Sequence, residues 1–569
     1  MHIDVVPNRG SRPAYLLRES YRDGKRVRKR TLANLSSLSE EQIFAIRAIL
    51  RGEPLCPPEQ LFEVIGSRAH GHVAAVRVAM QRLGLAALID PRASRERDLI
   101  CALVAARVLA PHTKLATTRW WHTTTLAQEF GVEDADEDEL YAAMDWLLAR
   151  QGGIEKRLAA RHLRADGLVL YDLSSSYFEG SCCPLARIGY NRDGKKGKLQ
   201  VNYGLLTDAR GCPVAVSVFE GNTVDSQTLA PQLRRLRDQF GIERFVVVGD
   251  RGMISQKGIE EELKSLPGVD WITALKSAQL RALVDQGSLQ LGLFDERNLF
   301  ELTHPDYPGE RLVACRNVAL AKLRAAKRAA LLGATVAELE TVRAMVARKR
   351  LVGADKIGVR VGRVVNKYKV AKHFELEIED DRLEFVVRTE QVEQEAAVDG
   401  IYVLRTPLSA QSMEAAQVVR SYKSLAGVER AFRSFKTIDL KVRPIHHRLA
   451  ERVRAHIFVC MLAYYLEWHM SEAWRSILFA DEDQAAKLQR DPVAAAKRSA
   501  SAERKAYTHT LSDGTPVHSL RTQFEALSTI VRNTCRTVHA PAQAPTFLIT
   551  TQPSPAQQRA LDLLATISV

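Results

Sequence analysis

Four stretches decide the fold: LVLYDLSSSYF at 168–178, LQVNYGLLTDARG at 199–211, CPVAVSVFEGN at 212–222 and RFVVVGD at 244–250. The first three are short, β-rich and separated by turn residues, and three strands in succession predict antiparallel pairing. The fourth is apolar from 245 to 249, the pattern of a strand buried on both faces of a parallel sheet. A helical stretch at about 226–240 separates the third strand from the fourth. Another at about 255–266 leads to a fifth, DWITALKS at 270–277. The order βββαβαβ predicts a mixed α/β sheet with crossover helices over its last strands.

That is the order of a ribonuclease-H-like core, which calls for another helix next. Residues 277–400 intervene with a different texture: a long charged helix at about 317–350 and strand-like pieces GVRVGRVVN, HFELEIE and RLEFVVR. They predict a β-rich insertion, so the core is expected in two parts, 166–276 and 401–475. Helical periodicity resumes from about 412 to 473. Residues 476–569 read as helical and then Pro/Gln-rich, with Pro541, Pro545, Pro553 and Pro555.

Upstream, residues 61–165 are expected to form a helical, DNA-binding domain, with helical periodicity from about 70 to 165, as in VAAVRVAMQRLGLAALI and RDLICALVAARVLA. Their acidic cluster, Glu133 to Glu139, precedes YAAMDWLLAR and reads as favourable charge at a helix N-terminus rather than a metal site. Residues 1–60 open with nine Lys/Arg between Arg9 and Arg30 against Glu19 and Asp23. Asp23-Gly24 is a hairpin-turn dipeptide, so a basic β-hairpin is expected. It reads either as a DNA-backbone contact through Arg26, Arg28 and Arg30 or as a solvated edge strand. Pro54, Pro57 and Pro58 mark a linker.

The chain has 569 residues, 46% hydrophobic and 26% charged, which excludes a single small module and the disordered and collagen-like classes. A formal charge of +14 favours a polyanionic partner. The cleanest apolar run, 457–466, covers ten residues, whereas a membrane span needs ~20. The N-terminus lacks a signal-peptide pattern, and eight Cys include no CxxC pair, which argues against both a structural zinc site and a disulfide framework. The expectation is a cytoplasmic protein.

Two carboxylates follow apolar strand segments, Asp172 after 168–171 and Asp250 after 245–249. On adjacent strands they repel unless a divalent cation lies between them, although either alone also reads as a turn or cap residue. Gly252 leaves room for a ligand near the carboxyl ends of the strands. Downstream, in SYKSLAGVERAFRSFKTIDLKVRP, residues Tyr422, Leu425, Glu429, Arg433 and Lys436 recur at spacings of three, four, four and three, which on one helix share a face. Such a face fits a metal and phosphate site, or an i,i+4 surface pair. The surrounding 421–454 segment holds nine Lys/Arg against Glu429, Asp439 and Glu451.

With these residues in these slots the chain resembles the DDE transposases of bacterial insertion sequences, and within them the type four superfamily with its Tyr-Arg-Glu-Lys signature. Tyr422, Glu429 and Lys436 match that spacing, and Leu425 stands at its Arg position. The resemblance covers about 165–470. It implies that Asp172, Asp250 and Glu429 hold two Mg²⁺ or Mn²⁺ ions for in-line attack on phosphorus. It further implies that Lys436 clamps a phosphate, that Tyr422 positions the DNA end, and that Arg430 or Arg433 takes the place of the missing Arg. Asp193 and Asp225 stand in turn-like contexts and are weaker ligand candidates. The loop 187–198, with Lys195 and Lys196, is expected at the DNA backbone. The expected function is binding of terminal inverted repeats, cleavage and strand transfer to target DNA by two copies in a synaptic complex at the nucleoid. The alternatives are a nuclease without strand transfer and an inactive, transposase-derived DNA-binding protein.

Overall fold

A computed structural model describes all residues except 54–60, 181, 291–293, 297 and 539–543, and omits the side chains of 11, 487 and 488. The expected proline linker and Pro541 therefore lie outside the described residues. In it the decisive stretches become β1 (Gly167–Tyr177), β2 (Gln200–Asp208), β3 (Pro213–Glu220), β4 (Phe245–Val248) and β5 (Val269–Ala274). β1, β2 and β3 pair antiparallel, and β4 lies parallel to both β1 and β5. All four residues of β4 are buried, as an apolar strand between two parallel neighbours requires. Helices at Leu229–Arg234 and Gln256–Gly258, each continued by a wider turn, make the crossovers.

The insertion does not stand apart from this sheet. Its first strands, β6 (Leu299–Leu302) and β7 (Arg311–Arg316), join β8 (Ile401–Thr406) and extend the sheet beyond β5, giving the order β6-β7-β8-β5-β4-β1-β2-β3. The remainder packs around its own core: a helix at Val318–Ala347, a second at Ala354–Tyr368, and the hairpin Phe374–Ile378 with Leu383–Val387. GVRVGRVVN is thus helical, not a strand, and the insertion is mixed rather than β-rich. Its buried residues Ile357, Val361, Val364 and Val365 follow a helical repeat, while Val359, which suggested alternation, faces solvent.

Seven helices between Gly71 and His162 form the expected helical segment. Asp136 caps its helix by accepting from the Glu139 N–H at 2.9 Å, and Arg95 pairs with Asp134, so the acidic cluster is a helix start. Among the described residues no single helix is long and apolar enough to cross a membrane. Arg95–Leu109 and Lys114–Thr123 pass only as a pair bent by 87°, and residues 99–109 are buried in protein.

The chain divides into two units, residues 70–529 with 553–569 as above, and residues 1–69 with 530–552. In the second unit the basic hairpin Ser11–Asp23 and Arg26–Asn34 carries a third strand, His2–Asn8. Gly24, at φ +58°, makes the turn. Phe62–Ala69, expected to begin the helical segment, is instead a strand paired with Val531–Thr537 from the chain's other end. Its partner lies too far away in sequence for local periodicity to reveal.

Candidate active site

Asp172 lies within β1 rather than at its end, because β1 goes on pairing with β2 as far as Tyr177 opposite Gln200. What ends near Asp172 is the parallel pairing with β4, whose last match is Leu170 with Val248. Asp172 and Asp250 each follow that match by two residues, so the two carboxylates come side by side where the parallel ladder opens. Asp250 is fixed by its own turn: one oxygen accepts the N–H groups of Gly252 at 3.0 Å and Met253 at 2.7 Å. A Cβ on Gly252 would stand 3.3 Å from that oxygen, tight enough to disturb it. One oxygen of Asp172 accepts the Leu173 N–H at 2.8 Å.

Glu429 arrives on α2 (Leu425–Arg433). Val428, Ala431 and Phe432 form the buried face of α2, and Phe432 meets Tyr203 of β2 edge-on at 5.8 Å. Glu429 stays exposed. The expected continuous helix is broken. α1 (Ala415–Lys423) ends at Ser424, whose hydroxyl donates to the Ser421 carbonyl at 2.6 Å, and α2 restarts beyond it. After α2 the chain widens into a π turn over Ser434–Ile438. A stripe projected at α-helical spacing from Glu429 to Lys436 therefore slips.

Lys436 accordingly faces Asp193, at 2.9 Å, and Arg443 pairs with the same carboxylate at 2.5 Å. The Asp193 side chain is 1% exposed and also accepts the Tyr177 N–H at 3.0 Å. Asp193 thus anchors the basic loop to β1 and to the Lys436 turn. Lys195 and Lys196 of that loop are exposed.

The electrostatics join four predicted residues. Burial, with Asp250 and Glu429 adding repulsion, pushes the Asp172 carboxyl up to about 7 against the opposing pull of the Leu173 N–H and Arg192. Burial and then Asp250 push the Tyr422 hydroxyl up to about 12, with Glu429 and Asp172 adding to it and Arg251 opposing. Sequence reasoning named neither Arg192 nor Arg251. Arg192 pairs with Asp225, whose carboxylate lies near Gly252. Among the described residues none of Asp172, Asp250 and Glu429 forms an ion pair, and the second oxygens of Asp172 and Asp250 accept no hydrogen bond. Crowded, half-used carboxylates without a cationic partner are a donor set for a hard divalent cation. Arg430 and Arg433 are exposed on α2.

A family model of the transposase DDE domain matches residues 175–466, just over half of the chain, and a model of the IS1634 family transposase N-terminal domain matches residues 3–55. The chain belongs to the DDE transposases of insertion sequences. The family normally uses divalent metal ions, consistent with the donor set above. Among solved structures, the chain is similar to a piggyBac transposase synaptic complex with hairpin DNA, at 8% identity and a TM-score of 0.33, over 80% of this chain and 75% of that one. That likeness is too slight to decide the fold. No curated protein matches.

Proposed function

We propose that this transposase binds the terminal inverted repeats of its own element, cleaves the ends and joins them to target DNA, with Asp172, Asp250 and Glu429 as its metal ligands. The observation that carries the reading is the opening of the β1–β4 ladder beside two carboxylates, with the charge of Glu429 reaching Asp172. The strand order β3-β2-β1-β4-β5 supports a ribonuclease-H-like core. The Tyr422, Glu429 and Lys436 spacing supports the type four superfamily.

Two Mg²⁺ or Mn²⁺ ions, when bound, supply the positive charge for in-line displacement at phosphorus. Asp172 and Asp250 present oxygens whose partners are already tied to the backbone, which limits reorganisation on binding. Tyr422, half-buried and protonated at neutral pH, offers a hydroxyl donor to a DNA end. The charges of Arg192 and Arg251 act on Asp172 and Tyr422, which favours them over Arg433 as the cations that meet a phosphate in place of the signature Arg at Leu425. Lys195, Lys196 and the Arg26, Arg28 and Arg30 strand contact backbone phosphates. Two copies act on paired ends in the cytoplasm. The division into an N-terminal DNA-contacting part (1–60), a helical DNA-binding part (61–165), a split core, an insertion and a C-terminal region (476–569) belongs to the same proposal.

The test is a cleavage and strand-transfer assay on the DNA flanking the gene with Mg²⁺. Asp172→Asn, Asp250→Asn and Glu429→Gln should each abolish both reactions while leaving end binding intact. Full activity in any one removes that residue from the site. Cleavage without joining indicates a nuclease, and binding without either reaction an inactive derivative.

A further inference from the structure

Away from the carboxylates, His162, Cys212 and His469 come together although 257 residues separate the last two. One ligand atom of each lies within 4.8 Å of the others, and Cys212 Sγ is 3.8 Å from His469 Nε2. We propose that these three residues bind a zinc-class divalent cation and so tie the β2–β3 turn to the helices Gln151–His162 and Ala450–Ala473.

The geometry is near that of a filled site. Zn–S and Zn–N bonds of about 2.3 and 2.0 Å in a tetrahedron set sulfur and nitrogen roughly 3.5 Å apart. Sulfur with two imidazoles selects zinc-class ions, whereas the carboxylate site selects Mg²⁺, so the two sites do not compete. The surroundings supply outer partners. Tyr465 Oη lies 3.0 Å from His162 Nε2, an outer partner for a His162 that ligates through Nδ1. Asp208 accepts the Cys212 N–H at 2.9 Å and is itself paired with Arg210. Such partners orient ligands. Three protein ligands leave one tetrahedral position for water, and His162 is only partly buried.

Ligation by Cys212 forms a metal–sulfur bond as the thiol proton leaves to solvent, and each histidine ligates through a neutral ring nitrogen.

The site also bears on the reaction. Gly211, next to Cys212, approaches α2 so closely that a Cβ on it would stand 3.2 Å from Gly427 Cα. A turn held by the metal thus backs α2 two residues before Glu429, making Cys212 a positioning residue.

The experiment titrates metal-stripped, full-length protein with Co²⁺. A thiolate-to-cobalt charge-transfer band should appear, saturating at one ion per chain, displaced by Zn²⁺ but not by millimolar Mg²⁺. Cys212→Ser should lose the band, and Asp172→Asn should keep it. If Cys212→Ser fails to fold, His162→Gln serves, and should weaken cobalt binding by more than about tenfold. No band in the native protein, a band unchanged in Cys212→Ser, or unchanged affinity in His162→Gln overturns the proposal.

Discussion

Asp193→Asn tests the reading that Lys436 is held by a buried carboxylate. The amide keeps an acceptor for the Tyr177 N–H but leaves Lys436 and Arg443, whose side chains are 12% and 20% exposed, without their counter-charge. At an effective dielectric of 20, a charge pair about 4 Å apart is worth roughly 4 kcal/mol, and desolvation of the lysine offsets part of it. Burial does push the Lys436 pKa down, against the pull of Asp193. Removing one partner of a buried pair costs about 3–5 kcal/mol, and the partial exposure here sets the expectation near 3. Urea unfolding followed by near-ultraviolet circular dichroism, applied to Asp193→Asn, Lys436→Met and the double variant, should give a coupling energy of about 2 kcal/mol. Cleavage should fall in Asp193→Asn with end binding retained, because Lys436 loses its position rather than its charge. A coupling below about 0.5 kcal/mol, the scatter expected of independent sites, would refute the buried network.

Arg192→Ala should lower cleavage at saturating DNA more than Arg433→Ala, since Arg192 acts on Asp172 and Arg433 is exposed on α2; the reverse order returns the phosphate role to Arg433. Lys114 is fully buried against His456, 3.2 Å away, and burial together with Arg107 pushes it down to about 7 from an ordinary 10.5. The unfolded chain then holds the extra proton, so stability should rise by roughly 1.4 kcal/mol per pH unit between about 7 and 10.5. Lys114→Met should flatten that rise, and an unchanged pH profile of the urea midpoint counts against it. Neutralising Arg26, Arg28 and Arg30 together should shallow the salt dependence of end binding by up to about three phosphate contacts. Arg28 and Arg30 pair with Asp23 and Glu19 on exposed strands, and an unchanged slope means those pairs persist on DNA.

The sequence by itself determined the element order from 167 to 274, because an apolar run between parallel neighbours and alternating strands beside turns write burial directly into residue pattern. It also made legible the candidate carboxylates Asp172 and Asp250 and the helix that carries Glu429, whose spacing and basic company are local features. Tertiary structure decided what depends on distant partners. Lys436 turns to Asp193 because a wide turn breaks the helical phase, and no spacing rule predicts that turn. The charges of Arg192 and Arg251 reach the candidate site from loops, Phe62–Ala69 becomes a strand only because residues 531–537 pair with it, and Ala354–Tyr368 forms a helix because a core from elsewhere in the insertion covers one face. The His162, Cys212 and His469 group is the extreme case, since ligands drawn from three separate elements have no local spacing to read and meet only when the sheet and its helices pack.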